Sequence, residues 1–498
     1  MKKKIVLLLL LLFALFAVVF TVPELLDRTA SPSGGESFAE TAEPETETME
    51  EKTFPYETVL PETGTENEET KAAEADPGEP VDREKTAADI IFASDIHYMS
   101  PELTDYGNAF NELIDNGDGK VVRYMTKIWQ AFAGEVIAAR PDVLVLSGDL
   151  TIDGEKTNHQ ELAGKLAEIE AAGVPVVVIP GNHDINNPQA SSYFGDERSS
   201  VESVTPEEFR EIYRAFGYDE AVSHAPDSMS YLYILNDTTW LMMLDTCIYE
   251  PENEVDGEIR EGTMEWAGQC LKDAYSQGIT VIPVGHHNLQ ELSRVYVEEC
   301  VLRNHDEALN MFEKYLTPVY VSGHLHVQRV MKHMKEPGMP DDVYGIWEIV
   351  SNSLIIPPCQ YGTMNLKPDG SISYHTKNVD VSSWAARHGE ENQDLLEFTA
   401  FSDTYLRSVI SRQITRTIED VPENLREVMA DFYADLYRDY YAGRQASYSE
   451  KKKEFGYQLW NSFMNPSIQF RQVEGMMRDG MAVNNNAEIP DPVDLKRE

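Results

Sequence analysis

From residue 88 onward the chain repeats one pattern: a short apolar run, a turn residue, then a cluster of polar side chains. "DIIFAS" leads into Asp95, Ile96 and His97, and "DVLVLS" into Gly148, Asp149 and Leu150. "VPVVVIP" leads into Gly181, Asn182, His183 and Asp184, "TVIPV" into Gly285, His286 and His287, and "PVYVS" into Gly323, His324, Leu325 and His326. The runs are continuous rather than alternating, which predicts strands buried on both faces. Helical patterns over residues 122–139 and 158–172 separate several of them, so the expected fold class is α/β. The stretch "YLYILNDTTWLMMLD" reads as two core strands turning at Asn236 and Asp237.

A long polar insertion follows Asp184 and contains a helical "TPEEFREIYRAFG". Insertions beside a site serve as lids or specificity elements, and Tyr193 and Arg198 are its candidate substrate contacts, weighed against ordinary surface roles. After about Gln393 the apolar period becomes helical. Leu395, Phe398, Tyr405, Leu406, Val409 and Ile414 share one face; Leu425, Val428, Met429, Phe432, Leu436 and Tyr440 share another, beginning after Pro422. With "KKKEFGYQLWNSF" as a third helix, residues 393–480 read as a helical appendage whose aromatic stripe is packing. Residues 481–498 read as a loose tail.

The first residues differ from all of this. Lys2, Lys3 and Lys4 precede an apolar run over residues 5–22, the pattern of a secretion signal or a single membrane anchor. Lysines on the cytoplasmic side place everything after the run outside the cell, either membrane-held or secreted. Residues 23–87 are rich in Glu, Thr and Pro and poor in large apolar side chains, so they read as a disordered, self-repelling linker. The chain carries 41 basic and 86 acidic residues, a net charge of −45, which argues against a nucleic-acid-binding surface. Four cysteines are too few and too dispersed for a disulfide framework.

Ligand sites in α/β sheets collect beyond the carboxyl ends of strands. Each strand ending alone is weak evidence, because Asn, Asp and Gly favour turns for backbone reasons. Five in order, all offering metal-ligand residue types, point to a metal site. The ordered set "DIH", "GDL", "GNHD", "GHH" and "GHLH" resembles the calcineurin-like metallophosphoesterase superfamily over residues 88–380. The resemblance implies a four-layer α/β/β/α sandwich of two sheets around two divalent metal ions. It implies that Asp95, His97, Asp149 and His326 hold one ion, and that Asn182, His286, His324 and the shared Asp149 hold the other. Carboxylate, amide and imidazole ligands suit Mn, Fe or Zn. His286 is taken over His287 because it directly follows the strand-end glycine.

The same resemblance gives His183 the role of general acid or phosphate contact and a metal-bound hydroxide the role of nucleophile. Asp184 either fixes the His183 ring or holds the turn. Ile152 stands where purple acid phosphatases carry a tyrosine ligand, and "GDLTIDG" lacks the arginine of protein Ser/Thr phosphatases and places Asp153 one residue late. The expectation is therefore an exported hydrolase of phosphomonoesters or phosphodiesters, with a cyclic-nucleotide phosphodiesterase as an alternative. A surface-attached binding or scaffold protein with an inactive metal site is the alternative of another class. Oligomeric state is left open.

Overall fold

The β-branched runs form strands because alternate side chains can enter two different cores. In chain order the strands are β1 (Ala88–Ala93), β2 (Val143–Ser147), β3 (Val176–Ile179), β4 (Ser191–Phe194), β5 (Glu197–Ser200), β6 (Ser223–His224), β7 (Tyr231–Asn236), β8 (Thr239–Met243), β9 (Thr280–Val284), β10 (Val319–Ser322), β11 (Arg329–Lys332), β12 (Trp347–Val350), β13 (Gln360–Leu366), β14 (Ile372–Asn378) and β15 (Asn486–Ile489). The computed structural model describes residues 79, 81, 83–296, 299–334 and 344–497, so the expected anchor and most of the expected linker lie outside the described residues. No helix among the described residues is long and apolar enough to cross a membrane.

Two large sheets carry the fold. Six strands run in the order β15-β14-β13-β1-β2-β3, and seven in the order β11-β12-β10-β9-β8-β7-β6. Leu241, Met243, Ile282, Val284, Val319 and Val321 share one core with β1, β2 and β3, so the inner faces of the sheets pack on each other. Their sequence neighbours Met242, Val281 and Tyr320 face the other way, into a core with Leu271 and Phe312 of helices Glu261–Ser276 and His305–Lys314. Helices Met125–Ala139 and Lys156–Ala171 bury Phe132, Val136, Leu162 and Leu166 with the first sheet. Helix, sheet, sheet, helix is the four-layer order that the family resemblance implied, and it fits the α/β class read from the strand pattern.

The first three strands are mutually parallel, as are β8, β9 and β10. Parallel pairing brings the carboxyl ends of β1, β2, β3, β9 and β10 to one edge of the sandwich, and all five polar strand endings follow those ends. The insertion after β3 forms the β4–β5 hairpin and the helix Pro206–Ile212, which Thr205 and Glu208 close with reciprocal backbone caps.

The C-terminal region consists largely of the helices Phe398–Thr417, Glu423–Tyr441, Phe455–Met464 and Ile468–Asp479. It is less separate than an appendage. Met429, Tyr433, Leu436 and Trp460 share a core with Leu325, Val327, Val350 and Ile356 of the sandwich. The expected loose tail at residues 481–498 is corrected: Asn486–Ile489 adds the edge strand β15 antiparallel to β14, with Ala487 and Ile489 turned into the core. Burial of those two side chains and the backbone ladder order a segment whose composition reads as loop. Among the described residues the four cysteines form no disulfide.

Candidate metal centre

Glycines allow the turns to approach one another. A Cβ on Gly181 would lie 2.1 Å from the Asp149 backbone nitrogen, and one on Gly148, whose φ is +95°, would lie 2.6 Å from the His286 ring. The residues beside them are strained. Asp95, His97, Asp149, His324 and His326 all have positive φ, between 44° and 69°. Each such position costs a non-glycine residue about 1–2 kcal/mol, and strain of this kind gathers at functional sites.

The strained turns converge. Ligand atoms of Asp95, His97, Asp149 and His326 lie within 4.8 Å of one another. His326 Nε2 is 3.0 Å from His97 Nε2 and 3.3 Å from Asp95 Oδ1. Asp149 faces two ways: its Oδ2 is 3.7 Å from His97 Nε2, and its Oδ1 is 3.3 Å from His286 Nε2. On that second side Asn182 Oδ1 lies 3.1 Å from His286 Nε2 and 2.8 Å from His324 Nδ1. All seven residues expected as ligands are therefore brought to one place, in two groups that meet at Asp149.

The outer nitrogens of these rings are already engaged. His286 Nδ1 donates to the Ser147 carbonyl at 2.9 Å, His324 Nε2 to the Glu299 carbonyl at 2.9 Å, and His326 Nδ1 to Asp118 Oδ2 at 2.9 Å. Each bond fixes the tautomer of the neutral ring, in which the inner nitrogen is a bare acceptor. With the rings neutral, this buried gathering of nitrogens and carboxylate and amide oxygens offers acceptors only, and divalent cations fit it. Burial keeps His97 well below its ordinary pKa, in the neutral form a metal ligand needs. His286 behaves differently: burial lowers its pKa, but the Asp149 carboxylate prevails and lifts it to about 9. A cation beside Asp149 would take the place of that proton.

His287 has no such inner nitrogen. Its Nδ1 is 2.8 Å from Thr246 Oγ1 and its Nε2 donates to the Val255 carbonyl at 2.9 Å. His183 sits at the mouth with its side chain 34% exposed and its Nε2 3.9 Å from Asp149 Oδ2. Its Nδ1 meets the Ile152 carbonyl at 2.7 Å and Asp153 Oδ1 at 3.0 Å. Burial works against charge on this ring, but Asp149 and Asp153 outweigh it and raise the pKa to about 10.

The two roles left open for Asp184 separate here. Asp184 accepts from the backbone nitrogens of Gly181, Leu150 and Thr151, and so buckles two turns together. Asp153 fixes the His183 ring. Its position in "GDLTIDG" was the available signal, read in the sequence only as a departure. Tyr193 is buried, and Arg198 is engaged within its own hairpin through Ser191 Oγ and Gln189. Asp118 gave no sequence signal beyond a glycine-rich turn.

A model of the calcineurin-like phosphoesterase family matches residues 88–328. The chain belongs to the calcineurin-like metallophosphoesterase superfamily. A second model, for the C-terminal domain of cyclic nucleotide phosphodiesterase, matches residues 380–482. A "Probable cyclic nucleotide phosphodiesterase" of Moraxella catarrhalis (strain BBH18) is 23% identical over 188 residues, 37% of this chain and 58% of that protein. Another of that description, from Xenorhabdus bovienii (strain SS-2004), is 22% identical over 192 residues, 39% of this chain and 64% of its own length. The chain thus spans less than two thirds of the curated relatives it matches. Among solved structures, a dimetal phosphatase from Danio rerio is 15% identical with a TM-score of 0.43, covering 58% of this chain and 96% of the other.

Proposed function

We propose that this superfamily member is an exported phosphodiesterase with two divalent metal ions, acting on cyclic nucleotides or closely related phosphodiesters. The observation that carries the reading is the two-faced Asp149 carboxylate, with His97 on one side and His286 on the other. Asp95, His97, Asp149 and His326 would hold one ion; Asn182, His286, His324 and Asp149 the other. Mn, Fe or Zn suits that donor set. Such a pair supplies Lewis-acid polarisation of the phosphoryl oxygens and lowers the pKa of water held there.

The protein's own part is to place groups around that chemistry. His183 presents Nε2 to the substrate and donates a proton to the departing alkoxide, while Asp153 and the Ile152 carbonyl hold its ring. Buried Asp184 keeps the "GDL" and "GNHD" turns in register. Preference for a diester is supported by the family match at residues 380–482 and by the names of the relatives. Export is supported by the three lysines and the apolar run that follows them.

A metal-reconstituted screen of monoesters, cyclic diesters and linear diesters tests the reading. The expected result is metal-dependent hydrolysis with cyclic diesters among the best substrates. Two bound ions without hydrolysis of any ester would favour a binding or scaffold protein instead.

A further inference from the structure

The loop over residues 117–121 joins the metal centre to the C-terminal helices. At its middle, Asp118 Oδ2 accepts from His326 Nδ1 at 2.9 Å and from Lys120 Nζ at 3.0 Å. Asp118 Oδ1 is buried with no hydrogen-bond partner among the described residues, so both contacts run through one oxygen. The loop is gripped from outside by the helix Phe398–Thr417. Gln413 Nε2 donates to the Gly117 carbonyl at 2.7 Å, and Arg412 pairs with Asp115 at 3.0 Å just before the loop. The Tyr405 hydroxyl lies 3.5 Å from the carbonyls of Ile114 and Lys120. Leu406 fills the space beside Gly119, whose φ is +91°; a Cβ there would meet Leu406 Cδ1 at 2.2 Å. From the sandwich side, Val121 donates to the Ile355 carbonyl at 2.8 Å.

We propose that Asp118 is a positioning residue for His326, and that the helix Phe398–Thr417 keeps it in place. This rests on the reading of His326 as a metal ligand. An imidazole can carry its single proton on either nitrogen, and only the Nδ1–H tautomer leaves Nε2 bare toward Asp95 and His97. A carboxylate at Nδ1 selects that tautomer and stops the ring from turning, the role that outer partners of metal-bound histidines play. Lys120 balances the carboxylate within the half-buried loop. The C-terminal helices thereby become part of the metal centre without contributing a ligand to it.

The test compares metal binding by the full chain in four forms: wild type, Asp118→Ala, Asp118→Asn and Gly119→Ala. Stoichiometry and affinity are read by titration with Co(II), and the His326 tautomer by imidazole nitrogen shifts of the metal-free protein. The wild type should bind two ions. Asp118→Ala should keep one at wild-type affinity and bind the other about 10–100-fold more weakly, with His326 no longer held as Nδ1–H. Asp118→Asn should lose less, because its amide oxygen still accepts from Nδ1. Gly119→Ala, which forces the loop and Leu406 apart, should weaken the same ion.

Wild-type affinity at both sites in Asp118→Ala would overturn the positioning role. Wild-type affinity in Gly119→Ala would overturn the part assigned to the helix. Equal weakening of both ions in Asp118→Asn, whose side chain has the same shape, would mark a general structural effect and also overturn the proposal. Failure of the wild type to bind two ions would instead defeat the two-metal reading beneath it.

Discussion

Five candidate ligands stand on turns with left-handed backbone, each following a short buried strand. The helices Phe398–Thr417 and Glu423–Tyr441 work differently: they bury Leu406, Met429, Tyr433 and Leu436, and the first of them grips a loop that touches one ligand from behind. The first region supplies chemical groups at a cost in backbone strain. The second supplies ordinary packing and, through it, orientation. Damage to the first should therefore appear in turnover or metal content with the fold intact, and damage to the second chiefly in stability.

The largest expected effect belongs to the first region. His183→Ala should retain both metal ions and lose about 10²–10⁴-fold in turnover, the scale of one acid–base group. The loss should be greatest for poor leaving groups, since they depend most on a delivered proton. Steady-state rates over a series of aryl and alkyl diesters check this, and equal losses across the series would leave His183 as a phosphate contact only.

Next comes the helical region. Trp460 is fully buried and donates from Nε1 to the Met429 carbonyl at 2.8 Å. Trp460→Ala should cost about 3–5 kcal/mol of stability, seen as a lower melting temperature. Turnover per folded molecule below that temperature should stay close to wild type. A large loss of turnover in fully folded protein would blur the contrast between the regions.

A smaller effect is expected at Asp153, which holds His183 together with the Ile152 carbonyl. Because one of the two acceptors survives, Asp153→Asn should cost about 10–100-fold in kcat, less than removal of the imidazole itself, with little change in metal content. Metal loss equal to the rate loss would show that Asp153 acts on the ions rather than on the ring.

A separate effect, read in pH rather than in rate, concerns Glu348 on β12, fully buried, where Oε1 accepts from the Leu289 nitrogen at 2.8 Å and from Ser322 Oγ at 2.9 Å. Burial raises its pKa from 4.5 to about 8. The folded state thus favours the protonated acid, and stability is fully present below about pH 4.5 and falls as pH rises toward 8. Glu348→Gln cannot ionise, so its melting temperature relative to wild type should rise steadily between those pH values. A difference independent of pH would contradict this.

The strand endings were legible because ligand chemistry, glycine spacing and apolar runs all lie within a few residues of each other. Asp95, His97, Asp149, Asn182, His286, His324 and His326 could each be read in that way. The choice of His286 over His287 followed from the same local rule, since only the residue after the glycine reaches over Gly148. What stayed hidden depends on contacts between distant segments. Asp153 reaches His183 across two turns, and Asp118 reaches His326 from a loop whose position is set by Gln413 and Leu406. Strand β15 is four residues long and pairs with a strand far earlier in the chain, so its alternation is too short to distinguish from a tail. The helix Ile468–Asp479, capped by Ser467, lies within the span read as helical but does not stand out as its own element, because Pro466 and two glycines flank or interrupt its pattern.

The central claim is that one carboxylate serves two metal ions, and the metal content of Asp149→Ala tests it most directly. Wild-type protein should carry two divalent ions per chain, and the variant should bind both more weakly while the other six expected ligands are unchanged. Turnover of a cyclic diester should fall with it. Two tightly held ions per chain in Asp149→Ala would contradict the account.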